Sequence, residues 1–424
     1  MDVTLDYGDT GLIVDLPDDC LVVRPQDGRP VGDPAAALLE ALRRPVAGAA
    51  LAQLARPGQK VVIAVPDGTR PHPHRAVLEA MLTELAGLGA DADVTILIAG
   101  GTHCADPPDV IERMLGPEVR RRCKVAIHDC HDTSNLVPLG PAGPPAEDVP
   151  VALDRRWVEA DLRISTGLVE PHLFAGFSGG PKLAAIGTAG LDTVMALHNG
   201  RRVGHPRATW GVVEGNPVHD AIRAVAALAP PHFSLEVVLD SAKRLTHAFA
   251  GQTAAAHQAA ANIASQTTMC RVERRFPLVI TTGGGYPLDQ NMYQAVKGIA
   301  AAADIVTDGG TIVLAAEARY GLPSCSDMYT SIMRPGEDIH AASTRILEAD
   351  HVVPDQWQLQ VQARVQTRAQ VLVKSSGLSL DEITTARLEP VADIAALVKA
   401  ARAQDPTLPI AVLPHGPYCV PFLA

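Results

Sequence analysis

Lys60-Val61-Val62-Ile63-Ala64-Val65, the turn Pro66-Asp67-Gly68-Thr69-Arg70-Pro71, an apolar-periodic stretch from His74 to Leu88 and a second branched run, Val94-Thr95-Ile96-Leu97-Ile98-Ala99, decide the fold class. A strand covered on both faces needs an unbroken apolar run, whereas a helix spaces its apolar residues three and four apart. Strand, helix and strand in that order make a parallel pair joined by a crossover helix. Further branched runs occur at Lys124 to Ile127, Leu162 to Ser165, Phe233 to Leu239, Leu278 to Thr281, Thr311 to Ala315 and Ile410 to Leu413. The expected class is therefore α/β: two α/β domains with mainly parallel sheets, and the active site in the cleft between them.

The 424 residues suit two or three domains. Val137 to Pro150 is rich in Pro and Gly and reads as an excursion, while the Ala- and Gln-rich stretch Thr253 to Thr268 reads as a long helix. After it, Arg271-Val272-Glu273-Arg274-Arg275-Phe276-Pro277 is charged and ends in proline just before a new strand. The boundary is placed there: residues 1–272 form an N-terminal domain holding cofactor and metal, and 273–407 a C-terminal, substrate-side domain. Residues 408–424 are read as a return to the first domain.

The net charge of −11 disfavours a protein that holds nucleic acid by neutralising phosphates. No run of eighteen uncharged apolar residues occurs, and Met1-Asp2-Val3-Thr4-Leu5-Asp6 has neither a basic head nor an apolar stretch. A cytoplasmic protein with no membrane partner is expected. The seven cysteines, an odd number with no Cys-x-x-Cys pair, read as reduced thiols, mostly small buried hydrophobes.

Ligands of open α/β sheets bind beyond the carboxyl ends of the strands, so the loops there carry the chemistry. One of them, Gly176-Phe177-Ser178-Gly179-Gly180-Pro181-Lys182, resembles a phosphate loop but fails it twice. Pro181 lacks the backbone donor, and Leu183 cannot hold magnesium. What remains is a glycine-rich anion nest with one hydroxyl and one lysine, weighed equally against a plain tight turn. His103 and His172 each follow a strand, and His198 follows a helix predicted from Leu191. Two imidazoles with Arg70 and Lys297 can hold a small carboxylate and move protons on it. A helix predicted to start at an N-capping Asp289 puts Gln290, Gln294 and Lys297 on one face, with Tyr293 beside them.

Asp67-Gly68-Thr69-Arg70-Pro71, Gly101-Thr102-His103, Pro171-His172, Ala175 to Lys182, His198, Gly284 to Asp289 and Tyr293-Gln294-Ala295-Val296-Lys297, in that order, resemble the lactate racemase family over roughly the whole chain. The resemblance implies a nickel-pincer nucleotide, a pyridinium mononucleotide with two sulfur-containing arms. It is tethered covalently to Lys182, with His198 as the protein's nickel ligand and contacts from Asp67, Thr69, Phe177, Ser178, Gly179 and Gly180. It further implies racemisation or epimerisation of a 2-hydroxy acid by reversible hydride transfer, with His103 and His172 as acid/base groups. Arg70 and Lys297 would bind the carboxylate, and Tyr293, Gln294 and Trp357 would orient the substrate. Maturation would depend on cofactor-biosynthesis enzymes.

Two departures from the family pattern, the absence of a proline before Gly187 and the sequence Cys104-Ala105-Asp106 after His103, bear on substrate identity. A non-catalytic carboxylate sensor is the alternative, although a binding module needs no pair of proton carriers. A nicotinamide dehydrogenase is disfavoured, since no Gly-x-Gly-x-x-Gly follows a strand.

Overall fold

The protein is described from a computed structural model covering residues 1–89, 93–322, 329, 332–334, 337–349 and 352–423. The chain forms two compact units: a first of Asp27–His198 and His205–Gln266, and a second of Met1–Gln26, Asn199–Gly204 and Thr267–Ala424.

The first unit is built on a six-stranded sheet in the order Leu245–Gly251, Phe233–Leu239, Leu162–Leu168, Lys60–Val65, Asp93–Ile98, Lys124–Ile127. All neighbours are parallel except the edge strand Leu245–Gly251. The Lys60 strand has only its first residue exposed, as its apolar run requires. The helix His74–Glu84 turns His74, Val77, Leu78 and Met81 inward, the three-and-four spacing of one helical face. The sheet grows from the Lys60 strand one way through Asp93 and Lys124, then the other way through Leu162 and Phe233. The switch point lies between the Lys60 and Leu162 strands, so their carboxyl ends flank the crevice where ligands of such sheets sit.

The second unit has its own parallel sheet, in the order Glu389–Pro390, Ala369–Lys374, Val306–Ala315, Phe276–Thr282, Ile410–Val412, Leu21–Val22. This corrects the expected division of the chain. The strand at Ile410 does not return to the first unit; it pairs with the Phe276 strand, and Leu21–Val22 pairs with it in turn. The N-terminal hairpin Asp2–Leu5/Leu12–Asp15 lays Val3, Leu5 and Val14 into the same core as Leu278, Ile280 and Val412. A buried parallel strand is apolar on both faces, so its sequence does not say which of two parallel sheets it joins.

The excursion at 137–150 contains an antiparallel pair, Leu136–Pro141 with Pro150–Asp154. The long helix Thr253–Thr268 has the expected bounds. No helix among the described residues is long and apolar enough to cross a membrane. Against the expectation of reduced thiols throughout, Cys104 is disulfide-bonded.

In the second unit, the helix Met292–Ala303 lies so close on the Phe276 strand that a Cβ on Gly298 would stand 2.1 Å from the Thr282 carbonyl oxygen. We expect Gly298→Ala to lose about 1–3 kcal/mol in urea unfolding, the typical cost of overpacking. Gly143→Ala, where a Cβ meets nothing within 4 Å, should leave the midpoint unchanged.

Candidate active site

Three loops at the carboxyl ends of the first unit's strands carry the charged groups. After Val65, Asp67 turns back under its own loop. Its Oδ1 accepts from the Thr69 hydroxyl at 2.5 Å and the Thr69 amide at 3.1 Å, and its Oδ2 meets His103 Nδ1 at 2.5 Å. Burial pushes the Asp67 carboxyl up, but the charges of His103 and Arg70 and the Thr69 hydroxyl outweigh it and hold the group well below the carboxylate range. Asp67 therefore stays ionised and accepts the hydrogen bond of His103 Nδ1–H, which leaves Nε2 as the nitrogen through which this ring gains or loses a proton. A carboxylate orienting a histidine in this way is the usual arrangement behind a general base.

His172 follows the Leu162 strand and is held the opposite way round. Its Nδ1 accepts from the amides of Phe174 at 3.4 Å and Ala175 at 3.2 Å, so in the neutral ring the proton sits on Nε2. That Nε2 stands 2.5 Å from Lys182 Nζ. A donor facing it means that the amine offers its lone pair, and the electrostatics agree. Burial and the charge of Arg70 bring Lys182 down to about 7, against the opposing pull of Glu170 and Asp67.

Arg70 donates to the Thr69 hydroxyl at 2.9 Å and lies 3.7 Å from Glu170 Oε1. His198 ends the helix Leu191–Leu197, and its Nδ1–H donates to the Val194 carbonyl at 2.8 Å, which leaves Nε2 unprotonated and able to bind a metal. The Phe174 ring stands edge-on to both His172 and His198, at 4.6 and 5.4 Å between centroids.

The glycine-rich loop, open in sequence to an anion nest or a tight turn, is folded on its own side chains. The Ser178 hydroxyl donates to the Leu168 carbonyl at 2.7 Å and accepts from the Glu170 amide at 3.0 Å. The buried Glu236 carboxyl lies against the loop, where a Cβ on Gly179 would stand 2.6 Å from its Oε2, and Phe177 packs with Val169, Val238 and Ala260. The Ser178 hydroxyl is spent in folding the loop. Gly176, Gly179 and Gly180 all have positive φ, and a Cβ on Gly176 would stand 2.1 Å from the Val212 carbonyl oxygen. The product of this local folding is a fixed origin for Lys182.

In the second unit, Lys297 is buried and donates to Gln294 Oε1 at 2.6 Å, so these two share a helical face. Trp357 is also buried, and its Nε1–H donates to the Tyr293 hydroxyl at 2.9 Å. Asp289 is not the N-cap: its carboxylate accepts from the Gly8 and Glu317 amides, and Asn291 caps the helix through the Gln294 amide. Gln290 consequently lies ahead of the helix Met292–Ala303 rather than on its face.

Three groups at the site had no role assigned from sequence: Glu170, Asp106 and Phe174. Asp106 accepts from the Gly68 amide at 2.8 Å, and burial together with the charge of Asp67 pushes its carboxyl up to about 6. An acidic residue directly after a strand, as Glu170 is, was the available signal.

We expect competitive acetylation followed by peptide mapping to give Lys182 a midpoint near pH 7, against the usual 10.4 for lysine. Arg70→Gln should raise that midpoint, because a like charge leaves, and Glu170→Gln should lower it.

The sequence profile of the lactate racemase N-terminal domain matches residues 7–211, and that of the lactate racemase C-terminal domain matches 273–420. A lactate racemase of Thermoanaerobacterium thermosaccharolyticum is 31% identical over 409 residues, 95% of this chain and 94% of that protein. One of Lactiplantibacillus plantarum is 33% identical over 381 residues, 89% and 88% of the two chains. The solved lactate racemase apoprotein of T. thermosaccharolyticum superposes with a TM-score of 0.89 at 31% identity, covering 99% of this chain and 100% of that one. A Thermotoga maritima protein shares the fold, with a TM-score of 0.70 at 20% identity over 93% of this chain and 99% of its own.

Proposed function

The chain belongs to the lactate racemase family and is an isomerase, and on that premise we propose that it inverts C2 of a 2-hydroxy acid, lactate or a close relative, with His103 and His172 as its two proton carriers. The observation that carries this reading is the opposed state of the two rings. The Asp67 carboxylate accepts from His103 Nδ1–H, whereas Nδ1 of His172 accepts from the Phe174 and Ala175 amides. Removing the C2 proton beside a carboxylate builds a dianion, so the hydrogen is better removed as hydride while a base takes the hydroxyl proton. One histidine then serves each enantiomer. His103 accepts the hydroxyl proton from one hand of substrate as a neutral ring, and His172, entering that turn as the imidazolium, returns a proton to form the other. After one turnover their states are exchanged, and the reverse reaction starts from the exchanged pair.

The nickel-pincer nucleotide is the group we propose at this site, and the chain's residues fit it. His198 offers one nitrogen donor, suited to nickel and sufficient for a ligand that brings carbon and sulfur donors of its own. Lys182, brought down to about 7, is in substantial part uncharged amine at neutral pH, the form needed to join an acyl-type carbon. When bound, the group supplies the hydride acceptor. Acylation of Lys182 would also remove the lone pair that faces His172 and so release Nε2–H toward the substrate hydroxyl. Arg70, braced by Thr69 and Glu170, is the proposed carboxylate partner, and Lys297, held by Gln294, is proposed as a further substrate-binding cation.

The test is 2-deuterated substrate in ordinary water with nickel-loaded enzyme. The inverted product should keep its deuterium; exchange with solvent would mean enolisation and end the hydride reading. His103→Gln and His172→Gln should each lower kcat by roughly 10²- to 10⁴-fold, the usual worth of a positioned proton carrier, with the metal content unchanged. Asp67→Asn should act through His103 and lower kcat with little effect on KM, read from the same initial rates.

A further inference from the structure

Cys270 and Cys419 lie 149 residues apart in sequence, both within the second unit. Cys270 stands in the strand Met269–Val272, which pairs in parallel with Val420–Leu423. Cys419, in extended conformation just ahead of Val420–Leu423, turns its side chain to the same place, and its S–H donates to Cys270 Sγ at 3.3 Å. Neither is in a disulfide. Forming one needs the sulfurs to close to about 2.05 Å, a shift of side-chain scale.

The two thiols differ as a reactive and a resolving cysteine differ. Cys419 is fully buried, whereas Cys270 is only partly so. The hydrogen bond from Cys419 draws Cys270 below the ordinary thiol range, against the opposing effect of burial. Burial instead pushes Cys123 and Cys130 up to about 11, and those two have no thiol neighbour of this kind among the described contacts. The racemase reading uses neither Cys270 nor Cys419.

We propose that Cys270 and Cys419 are a modification site: a dithiol that hydrogen peroxide oxidises to a disulfide, joining the strand Met269–Val272 to the C-terminal strand. The Cys270 thiolate attacks the peroxide oxygen; the O–O bond breaks, Cys270 becomes the sulfenic acid, and water leaves after protonation. Cys419 sulfur then attacks Cys270 sulfur, the S–O bond breaks, and a second water leaves. Two thiols are oxidised and one peroxide is reduced. The bond would fix the short turn Gly416–Tyr418, whose Tyr418 ring lies against Gly284 in the loop leading to the Lys297 helix.

The test uses the full chain and hydrogen peroxide in slight excess, with alkylation, digestion without reductant and peptide mapping. A linked peptide pair containing Cys270 and Cys419, lighter by two hydrogens than the separate peptides and split by dithiothreitol, is expected. It should form at least about tenfold faster than any oxidation of Cys123 or Cys130. In Cys419→Ser the sulfenic acid at Cys270 should persist and be trapped by dimedone. Conversion of Cys270 to sulfinate in the natural chain, with Cys419 still alkylated, overturns the proposal, as does oxidation of Cys123 or Cys130 at an equal rate. The map of the unsubstituted protein decides even if the serine variant does not fold.

Discussion

A buried carboxylate kept ionised is the constraint from which the rest of the site follows. An unpaired charge in a protein interior costs several kcal/mol, so Asp67 persists as an anion only because His103, Arg70 and Thr69 surround it. Each partner gains a fixed position in return. His103 is locked into one tautomer, Arg70 is anchored through Thr69, and Asp106, left beside an existing negative charge, is driven toward its neutral form. The loop between Val65 and the helix at His74 is thus organised from its centre outward, and its order comes from charge rather than from apolar packing.

The same physics separates the site's other titratable groups by sign. Burial disfavours whichever form is charged, so it lowers a lysine and raises an acid or a thiol. Lys182 comes down to about 7, while Glu236 beneath the glycine-rich loop goes up to about 7. A loop that would have held an amine cation above a carboxylate instead approaches neutrality at both places near physiological pH. For a lysine that is to become a covalent attachment point, neutrality is the chemically useful condition.

Much of this was legible in the chain. Lys60–Val65, Phe233–Leu239 and Thr253–Thr268 appear with their expected bounds because a covered strand and a long alanine-rich helix each have a pattern that local chemistry enforces. The loop residues after each strand were also readable, since the crevice of an open sheet is fixed by topology. Two things were not. The membership of Leu21–Val22 and Ile410–Val412 in the second sheet depends on which apolar edge is left open, which no local pattern records. The duty of Ser178 stays between two readings in sequence because a hydroxyl in a glycine-rich loop can face a ligand or fold the loop, and its bonds to Leu168 and Glu170 come from tertiary structure.

The Ser178 bonds bear on what the loop is for. Its hydroxyl is engaged internally, and the glycines at 176, 179 and 180 take positive φ where a Cβ would strike Val212, Glu236 or His257. So closely determined a loop has little freedom to adapt to a ligand, but it fixes the backbone from which Lys182 projects. A lysine side chain loses up to about 2 kcal/mol of rotamer freedom when held, and here that loss is met in folding, before any ligand arrives. A preset amine facing His172, with Phe174 placing the same ring beside His198, turns three residues remote in sequence into one cluster. The loop's glycines therefore fix, by rigidity, the placement of Lys182.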